Sequence, residues 1–400
     1  MSQYFFLILS ILLLNIHNIQ AEGLNRTRVV NVDDFRARRN GSIDDNEAFV
    51  KAWKETCSSS ISSVFMVPQN REYLLKPINF SGPCKSNVKF LIKGRIEASL
   101  NPSNWNEYDP RHWIVFDNIK KLVVTGGGII NGNGRIWWQN SCKKNEALPC
   151  TGAPTALTFS ACKRLRVENL RIKDSQQMHV VIEKSKKVVV SKLLIKAPEK
   201  SPNTDGIHVT HSENVIIRNC KIRTGDDCVS IVSGSKNIEV RNITCGPGHG
   251  ISIGSLGKYN TKAHVRNVVV DTAILNGTTN GVRIKTWQGG RGYAKSITFQ
   301  NINMHNVKNP VIITQNYCDS KIPCHEQHRA VAISKVLFKN IKGTSASKVS
   351  VKLDCSKSVG CKKIMLQDIN LVGEDGDSTE SCCKNVRWSK RGTVVPPLCV

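Results

Sequence analysis

The sequence has 400 residues, of which 40% are hydrophobic and 6% aromatic, and this length and balance support a sizeable core and argue against wholesale disorder. Lysine and arginine number 57 against 31 aspartate and glutamate residues, so the formal net charge is +26. Such an excess favours a polyanionic partner, which could be nucleic acid, an anionic membrane or an acidic polysaccharide.

The N-terminus is typical of a secretory signal peptide. An apolar run from Tyr4 to Leu14 is interrupted only by Ser10, and polar residues follow up to Ala21, near which we predict cleavage. No later stretch reaches the roughly 18 consecutive apolar residues of a membrane span. We therefore expect a secreted, extracellular protein in which residues 1–21 are removed and residues 22–400 form one domain.

The 15 cysteines agree with an oxidising compartment. Zinc is a poor explanation for them, because no CxxC pair occurs. Disulfides across small loops explain better the pairs that lie close in sequence, which are Cys142 and Cys150, Cys318 and Cys324, and Cys355 and Cys361. Sequons compatible with N-glycosylation begin at Asn25, Asn40, Asn79, Asn242 and Asn276.

An extracellular location narrows the choice of partner. Nucleic acid is disfavoured, because the sequence has no recognition-helix pattern and no basic stripe interleaved with aromatic residues. We expect neither a nucleic-acid nor a membrane partner. The excess charge therefore favours a wall polysaccharide rich in carboxylates, and we expect the protein to be a monomer.

One helix and a series of short strands are predicted in chain order. The helix spans Ile43–Cys57, and Asp44 or Asp45 could cap it. Six later segments alternate apolar residues around an asparagine, a pattern of short strands. These segments begin at Leu165, Val215, Ile238, Val265, Ile297 and Val336, and contain Asn169, Asn219, Asn242, Asn267, Asn301 and Asn340.

The asparagines recur at nearly regular spacing, with 23 residues from Asn219 to Asn242 and 25 from Asn242 to Asn267. Such a period indicates a repeat architecture. Leucine-rich repeats fit poorly, because the units lack the LxxLxLxxN pattern. We predict an all-β fold, a parallel β-helix of about ten coils with a short helical cap at its N-terminus. We expect the asparagine side chains to bond to the backbone along the stack.

Four short segments carry residues with catalytic potential: Asn203-Thr204-Asp205-Gly206, Gly225-Asp226-Asp227-Cys228, Gly248-His249-Gly250 and Arg283-Ile284-Lys285. Steps of 22 residues separate Asp205, Asp227 and His249. Since neighbouring coils lie about 4.8 Å apart, these three side chains are expected to form one column. Asp226 can share their groove only if the backbone bends at this point.

The three aspartates suit glycoside hydrolysis, in which one carboxyl group protonates the leaving oxygen and another activates water. Crowding raises the pKa of at least one of them. Arg283 and Lys285 lie two residues apart on one strand face and could clamp a substrate carboxylate. Each segment alone is more often a turn, a loop or a solvated face. The four together, in order and at coil spacing, favour an active site.

These segments closely resemble those of plant polygalacturonases, glycoside hydrolase family 28, over essentially the whole mature chain. Asn316-Tyr317-Cys318-Asp319 and the extended motifs around His249 and Arg283 share the resemblance. It implies a right-handed parallel β-helix that hydrolyses the α-1,4-galacturonosyl linkages of demethylated pectin with inversion and by internal cleavage. No metal or cofactor is implied.

The resemblance also implies roles for single residues. Asp226 would be the general acid, Asp205 and Asp227 would hold and activate the water, and His249 would support the proton of the acid. The substrate-binding residues would be Arg283 and Lys285 for a galacturonate carboxylate, Tyr317 in the groove wall, and Asn203, which orients the substrate or an aspartate.

Disulfide pairings follow from the same resemblance. It implies Cys228–Cys245, Cys57–Cys84 and the three small loops named above, with Cys399 bonded to Cys382 or Cys383. Cys162 and Cys220 would remain buried thiols.

The chain departs from the family pattern at three positions. Arg36 and Arg39 replace two glycines near the N-terminus, at a cost in stability if either backbone needs a positive φ. Thr314 stands where many relatives carry an acid. Exo-acting hydrolysis, a pectate lyase-like activity and non-catalytic pectin binding remain as alternatives.

Overall fold

The structure is a computed structural model that describes residues 27–105, 111–150, 152–320, 322 and 324–399. The predicted signal peptide and the sequon at Asn25 lie outside these residues. Within this part of the chain, no helix has the length and apolar character needed to cross a membrane.

In the part of the chain that the structure describes, parallel strands wind into a β-helix with two sheets, one of 17 strands and one of 11. The larger sheet contains β1 (Arg28–Asn31), β2 (Asn40–Asp44), β3 (Ser63–Val67), β4 (Glu72–Leu75), β6 (Val88–Ile92), β7 (Arg95–Ala98), β9 (Leu122–Thr125), β10 (Ile129–Asn131), β12 (Lys163–Lys173), β14 (Lys186–Lys196), β16 (Glu213–Arg223), β18 (Ser235–Cys245), β20 (Lys262–Asn276), β22 (Arg291–Val307), β24 (Ala332–Ser345), β26 (Cys361–Gly373) and β28 (Val386–Val395). The smaller sheet contains β5 (Ile78–Ser81), β8 (His112–Asp117), β11 (Thr155–Ser160), β13 (Val180–Glu183), β15 (Ile207–Thr210), β17 (Val229–Ile231), β19 (Ile251–Leu256), β21 (Asn280–Trp287), β23 (Asn309–Tyr317), β25 (Val349–Asp354) and β27 (Glu380–Lys384).

Columns of buried apolar side chains fill the interior between the sheets. Alternation along each strand sends every second side chain inward, and the parallel register stacks equivalent positions. One column of the smaller sheet consists of Val209, Ile231, Ile253, Ile284, Ile313 and Leu353. A column of the larger sheet consists of Val190, Ile217, Val240, Val270, Phe299, Phe338 and Leu366.

Among the described residues, two α-helices lie outside the coils, α1 (Asn46–Ser58) and α2 (Arg135–Gln139), together with the 3₁₀ turns Val32–Phe35, Pro102–Asn104 and Lys258–Asn260. The predicted helix therefore starts three residues later than expected, because the chain is still in β2 at Asp44. Of the two proposed caps, Asp45 occupies the N-cap position but its side chain makes no bond to the helix, whereas the Asp44 Oδ1 accepts the Asn46 N–H at 3.0 Å.

The helix α1 packs on the first coils through aromatic side chains. The Phe49 ring lies 5.7 Å from the Phe65 ring, and the Trp53 ring lies 5.3 Å from the Phe80 ring. These contacts bury the apolar face of the helix against the N-terminal end of the stack, in agreement with the predicted helical cap.

Asparagines form side-chain ladders along the larger sheet. Asn242 donates to the Asn219 side chain at 2.8 Å, whereas Asn267 donates to Asn237 at 3.0 Å. The expected bonding to backbone was therefore wrong for these ladders. All six predicted asparagines have φ between 50° and 57°, a left-handed conformation that asparagine tolerates better than most residues.

The two arginines that replace family glycines both adopt a left-handed backbone. Arg36 has φ 67° and Arg39 has φ 66°. Arg36 ends the turn Val32–Phe35, where its N–H donates to the Asp33 carbonyl. The condition under which these substitutions reduce stability is therefore met at both positions.

Six disulfides are present, and they follow the expected pairings. They are Cys57–Cys84, Cys142–Cys150, Cys228–Cys245, Cys318–Cys324, Cys355–Cys361 and Cys383–Cys399. The structure selects Cys383 over Cys382 as the partner of Cys399. Cys162 and Cys220 are buried thiols, and burial raises the pKa of each to about 11.

Candidate active site

A polar groove of about 790 Å³ runs beside the smaller sheet. It is lined by all eight residues singled out from the sequence, namely Asn203, Asp205, Asp226, Asp227, His249, Arg283, Lys285 and Tyr317. The first five lie in the turns that precede β15, β17 and β19, while the last three lie on β21 and β23. The structure therefore brings together residues that are up to 114 positions apart (203 to 317).

The strand register explains the column of site residues. Ile207 pairs with Val229, and Val229 pairs with Ile251, in steps of 22 residues. Asp205, Asp227 and His249 each lie two residues before these paired positions, and therefore occupy equivalent places on three consecutive coils.

A bend before β17 turns two adjacent carboxylates into one groove. The Asp226 Oδ1 accepts the backbone N–H of Asp227 at 2.8 Å. Ligand atoms of Asp226, Asp227 and His249 all lie within 4.8 Å of one another. Adjacent residues of a strand point to opposite sides, but Asp226 and Asp227 lie in the turn before β17 rather than in the strand. Both side chains can therefore face the same groove.

Asp205 is a buried carboxyl group with 7% of its surface exposed. The Ser230 hydroxyl donates to its Oδ2 at 2.7 Å. Burial, reinforced by the charges of Asp226 and Asp227, raises the pKa of Asp205 well above its usual range. Asp205 is therefore the member of the cluster on which crowding has the predicted effect.

Asp226 behaves differently because it contacts a histidine. His249 Nδ1 lies 3.1 Å from its Oδ1, and the Asn203 side chain donates to its Oδ2 at 3.5 Å. Burial would raise the pKa of Asp226, but the hydrogen bond and charge of His249, with the charge of Lys285, lower it overall. The raised pKa thus belongs to Asp205, not to the residue assigned as the acid.

Asp227 is held by two cations and a hydroxyl. It is 2% exposed, and its carboxylate accepts from Arg283 at 2.8 Å, Lys285 at 2.9 Å and Ser252 at 2.7 Å. Burial would lower the pKa of Lys285, but the charge of Asp227 raises it overall. The predicted clamp residues therefore contact this aspartate and also face the groove.

Three residues that the sequence analysis missed support the aspartates. His208, Ser230 and Ser252 occupy paired positions on β15, β17 and β19, again 22 residues apart. His208 Nδ1 lies 2.8 Å from the Ser230 Oγ, and burial lowers the pKa of His208 to about 4. Each of them lies three positions after Asp205, Asp227 or His249, so the same 22-residue spacing could have identified them from the sequence.

Aromatic side chains form the wall beyond Lys285. The Lys285 Nζ lies 5.4 Å from the centre of the Tyr317 ring, which meets the Trp287 ring edge to face at 5.1 Å. Tyr317 thus lines the groove.

Among the described residues, the acidic and histidine groups near enough to share a cation are Asp226, Asp227 and His249. Asp227 already has two positive partners, Arg283 and Lys285, which compensate the charge that a cation would otherwise balance.

Comparison with known proteins identifies the family. Residues 57–393 match the family model described as Glycosyl hydrolases family 28. The chain belongs to this family. A polygalacturonase of Persea americana is 57% identical over 357 residues, which are 89% of this chain and 77% of that protein. Polygalacturonase-2 of Solanum lycopersicum is 52% identical over 380 residues, which are 95% and 83% of the two chains.

A solved structure of the same fold supports the architecture. The endo-xylogalacturonan hydrolase from Aspergillus tubingensis superimposes with a TM-score of 0.78 at 24% identity, over 92% of this chain and 99% of that chain. The predicted family, a glycoside hydrolase family, and the predicted right-handed parallel β-helix are confirmed. The roles assigned to single residues stay predictions.

Proposed function

We propose that the protein is a polygalacturonase that hydrolyses the α-1,4-galacturonosyl linkages of demethylated pectin by an inverting mechanism. The observation that carries this proposal is the placement of three aspartates with the buried Lys285 and the partly buried Arg283 in one groove. Carboxyl groups supply acid and base, and the cations recognise a uronate. The identity of more than 50% to two plant polygalacturonases supports the same substrate class.

Substrate binding changes the charges around Asp226. A galacturonate carboxylate at Arg283 and Lys285 competes with Asp227 for these cations. The positive charge of Lys285 is one of the causes that lower the pKa of Asp226, so its neutralisation by the substrate raises that pKa. Asp226 then takes up the proton that it donates to the leaving glycosidic oxygen.

Water activation falls to the other two aspartates. Asp205 and Asp227 are neighbours on consecutive coils and face the same groove. A water held between them loses its proton to one carboxylate as it attacks the anomeric carbon from the face opposite the leaving group. Asp205 must be ionised for this step, so its raised pKa sets a lower pH limit for activity.

Internal cleavage is the mode that the groove favours. Pro202 and Asn203 line both the catalytic groove and an adjoining cavity of about 170 Å³ next to α2. The groove thus continues past the aspartates toward the N-terminal coils, which leaves room for a polymer on both sides. An endo enzyme releases a mixture of oligomers early from long polygalacturonate, whereas an exo enzyme releases monomers or dimers from the start.

We also infer that the protein acts outside the cell as a monomer with residues 1–21 removed. Six disulfides are typical of secreted proteins. N-terminal sequencing of the secreted protein and its mass in solution test both points.

The function is tested by incubating the protein with polygalacturonate. Hydrolysis releases new reducing ends without ultraviolet absorbance, whereas a lyase releases an unsaturated, absorbing product. Binding without either product would indicate a non-catalytic protein.

A further inference from the structure

The turn after β19 places Lys258 beside the groove that holds the aspartates. Lys258 begins the turn Lys258–Asn260, which connects β19 with β20. The side chain lines the same groove as Asp226 and Lys285. The mechanism described above assigns it no part.

Lys258 differs from the other groove cations in having no carboxylate partner within the described residues. Arg283 and Lys285 pair with Asp227, and Lys143 pairs with Asp319 at 2.8 Å. A substrate carboxylate that approaches any of these three must compete with a protein carboxylate. At Lys258 no ion pair has to break, so this charge is the one most available to an anion.

Aromatic rings hold the Lys258 ammonium in place of a carboxylate. Its Nζ lies 4.9 Å from the centre of the Tyr259 ring and 5.1 Å from that of Trp287. A cation–π contact attracts the ammonium without neutralising its charge, and it leaves N–H groups free to donate. Tyr259 is itself 84% exposed, which is unusual for a tyrosine that serves only packing.

The backbone of this turn is fixed in an uncommon conformation. Gly257, Tyr259 and Asn260 have φ of 80°, 56° and 59°. A side chain at Gly257 would lie 2.8 Å from the Gly290 Cα, so the two chain segments are in close contact. Left-handed residues other than glycine persist only where their surroundings hold them, and such strain is concentrated at ligand sites. The turn therefore presents Lys258 in a defined position.

A continuous wall joins Lys258 to the catalytic cations. Lys285 and Trp287 lie two residues apart on β21, and both contact Tyr317, which is paired with Trp287 in the sheet. Trp287 in turn contacts Lys258. One wall of the groove thus carries two positive charges separated by aromatic rings, and a galacturonan presents one carboxylate on every unit.

We propose that Lys258 binds the carboxylate of a further galacturonosyl unit, on the side of the groove that Tyr317 lines. This inference rests on the proposed polygalacturonase function and adds a specificity to it. The enzyme requires a free carboxylate on that further unit in addition to the one held by Arg283 and Lys285. Methyl esterification of the further unit removes the charge and weakens binding.

The test compares Lys258→Gln with Lys295→Gln in the full-length mature protein. Lys295 is a matched control, because its Nζ contacts the Tyr293 ring at 4.3 Å but lies on β22, outside the groove. On demethylated hexagalacturonate, Lys258→Gln is expected to raise KM about tenfold, as for the loss of one charge-assisted hydrogen bond, with kcat nearly unchanged. The loss is expected to be smaller on methyl-esterified oligomers.

The possible outcomes distinguish a failure of this inference from a failure of the proposed function. Lys258→Arg keeps the charge and is expected to recover most of the affinity, and Lys295→Gln is expected to match the wild type. A KM for Lys258→Gln within about twofold of the control would overturn the inference while the wild type stays active. An inactive wild type would instead overturn the proposed function. Thermal unfolding of each variant checks that the fold is intact.

Discussion

At the scale of single residues, the site depends on how each carboxyl group is partnered. Asp205 has a hydroxyl donor, Asp226 has a histidine, and Asp227 has two cations and a hydroxyl. Because the partners differ, the pKa of Asp205 is raised while that of Asp226, a chemically identical side chain, is lowered. The sequence predicted the three aspartates but not the different partner groups that each of them contacts.

Asp226→Asn is expected to lower kcat by about 10²–10⁴-fold, because an amide keeps the shape of the side chain but cannot donate the proton. Binding of polygalacturonate should be largely retained. Initial rates of reducing-end release measure the effect. Asp375→Asn, the same change on an exposed turn, serves as the control and should have no effect. Near wild-type turnover by a folded Asp226→Asn protein would remove the mechanism.

Ser230→Ala tests whether the hydrogen bond from the Ser230 hydroxyl limits the rise in the pKa of Asp205. The Ser230 hydroxyl is one of the interactions that lower the pKa of Asp205 against the effect of burial, so its loss raises that pKa further. Because Asp205 acts as a base when ionised, the acidic limb of the pH–rate profile should move to higher pH. The rate should approach that of the wild type on the alkaline side of this limb.

Ser252→Ala provides the comparison, since Asp227 keeps Arg283 and Lys285 after the change. Its acidic limb is expected to move less than that of Ser230→Ala. Superimposable profiles for Ser230→Ala and the wild type would show that the Ser230 contact does not tune the base.

At the scale of elements, many residues in the turns and at the coil edges have a left-handed backbone conformation. The residue types at these positions differ. Asparagine occupies many of these positions and adds side-chain ladders between coils. Arginine occupies two of them near the N-terminus, at Arg36 and Arg39. The local conformation is set by the packing of β1, the following turn and α1, and not by the preference of the residue.

Arg36→Gly is therefore expected to raise the free energy of unfolding by about 1 kcal/mol, because glycine adopts a positive φ without the steric cost of a side chain. Arg38→Gly is the matched control. Arg38 is an exposed neighbour without a positive φ, and glycine there should lower stability by about 0.5–1 kcal/mol. Thermal or denaturant unfolding of both variants measures the difference. A midpoint of Arg36→Gly at or below that of the wild type would contradict the argument.

At the scale of the whole molecule, the net charge of +26 acts on a polyanionic substrate. Long-range attraction between exposed charges is screened within about 8 Å at physiological ionic strength. Binding to demethylated pectin is therefore expected to weaken several-fold as the salt concentration rises from about 0.05 to 0.5 M.

Retention of the Asp226→Asn protein on immobilised polygalacturonate, measured across this salt series, checks the effect without turnover. Highly methyl-esterified pectin is the control matrix, because it offers the same backbone with few charges. Equal retention on the two matrices would show that charge does not direct binding.

The sequence alone determined the coil architecture and the column of site residues. In a β-helix, a residue and its neighbour in the next coil are separated by one repeat, so a spacing of 22 in the chain becomes contact in space. For the same reason, the positions of Asp205, Asp227 and His249 could be predicted without coordinates.

The tertiary structure alone decided the electrostatic partners. Arg283 and Lys285 contact Asp227 across 56 and 58 residues of sequence, and Lys258 meets Trp287 through a turn that no repeat predicts. Asn267 likewise meets Asn237 rather than Asn242, because the coil between them is 30 residues long and places these two side chains in register. Such contacts depend on side-chain rotamers, burial and loop insertions, whose energies are set by all neighbouring coils together, so the spacing of residue types along the chain does not encode them.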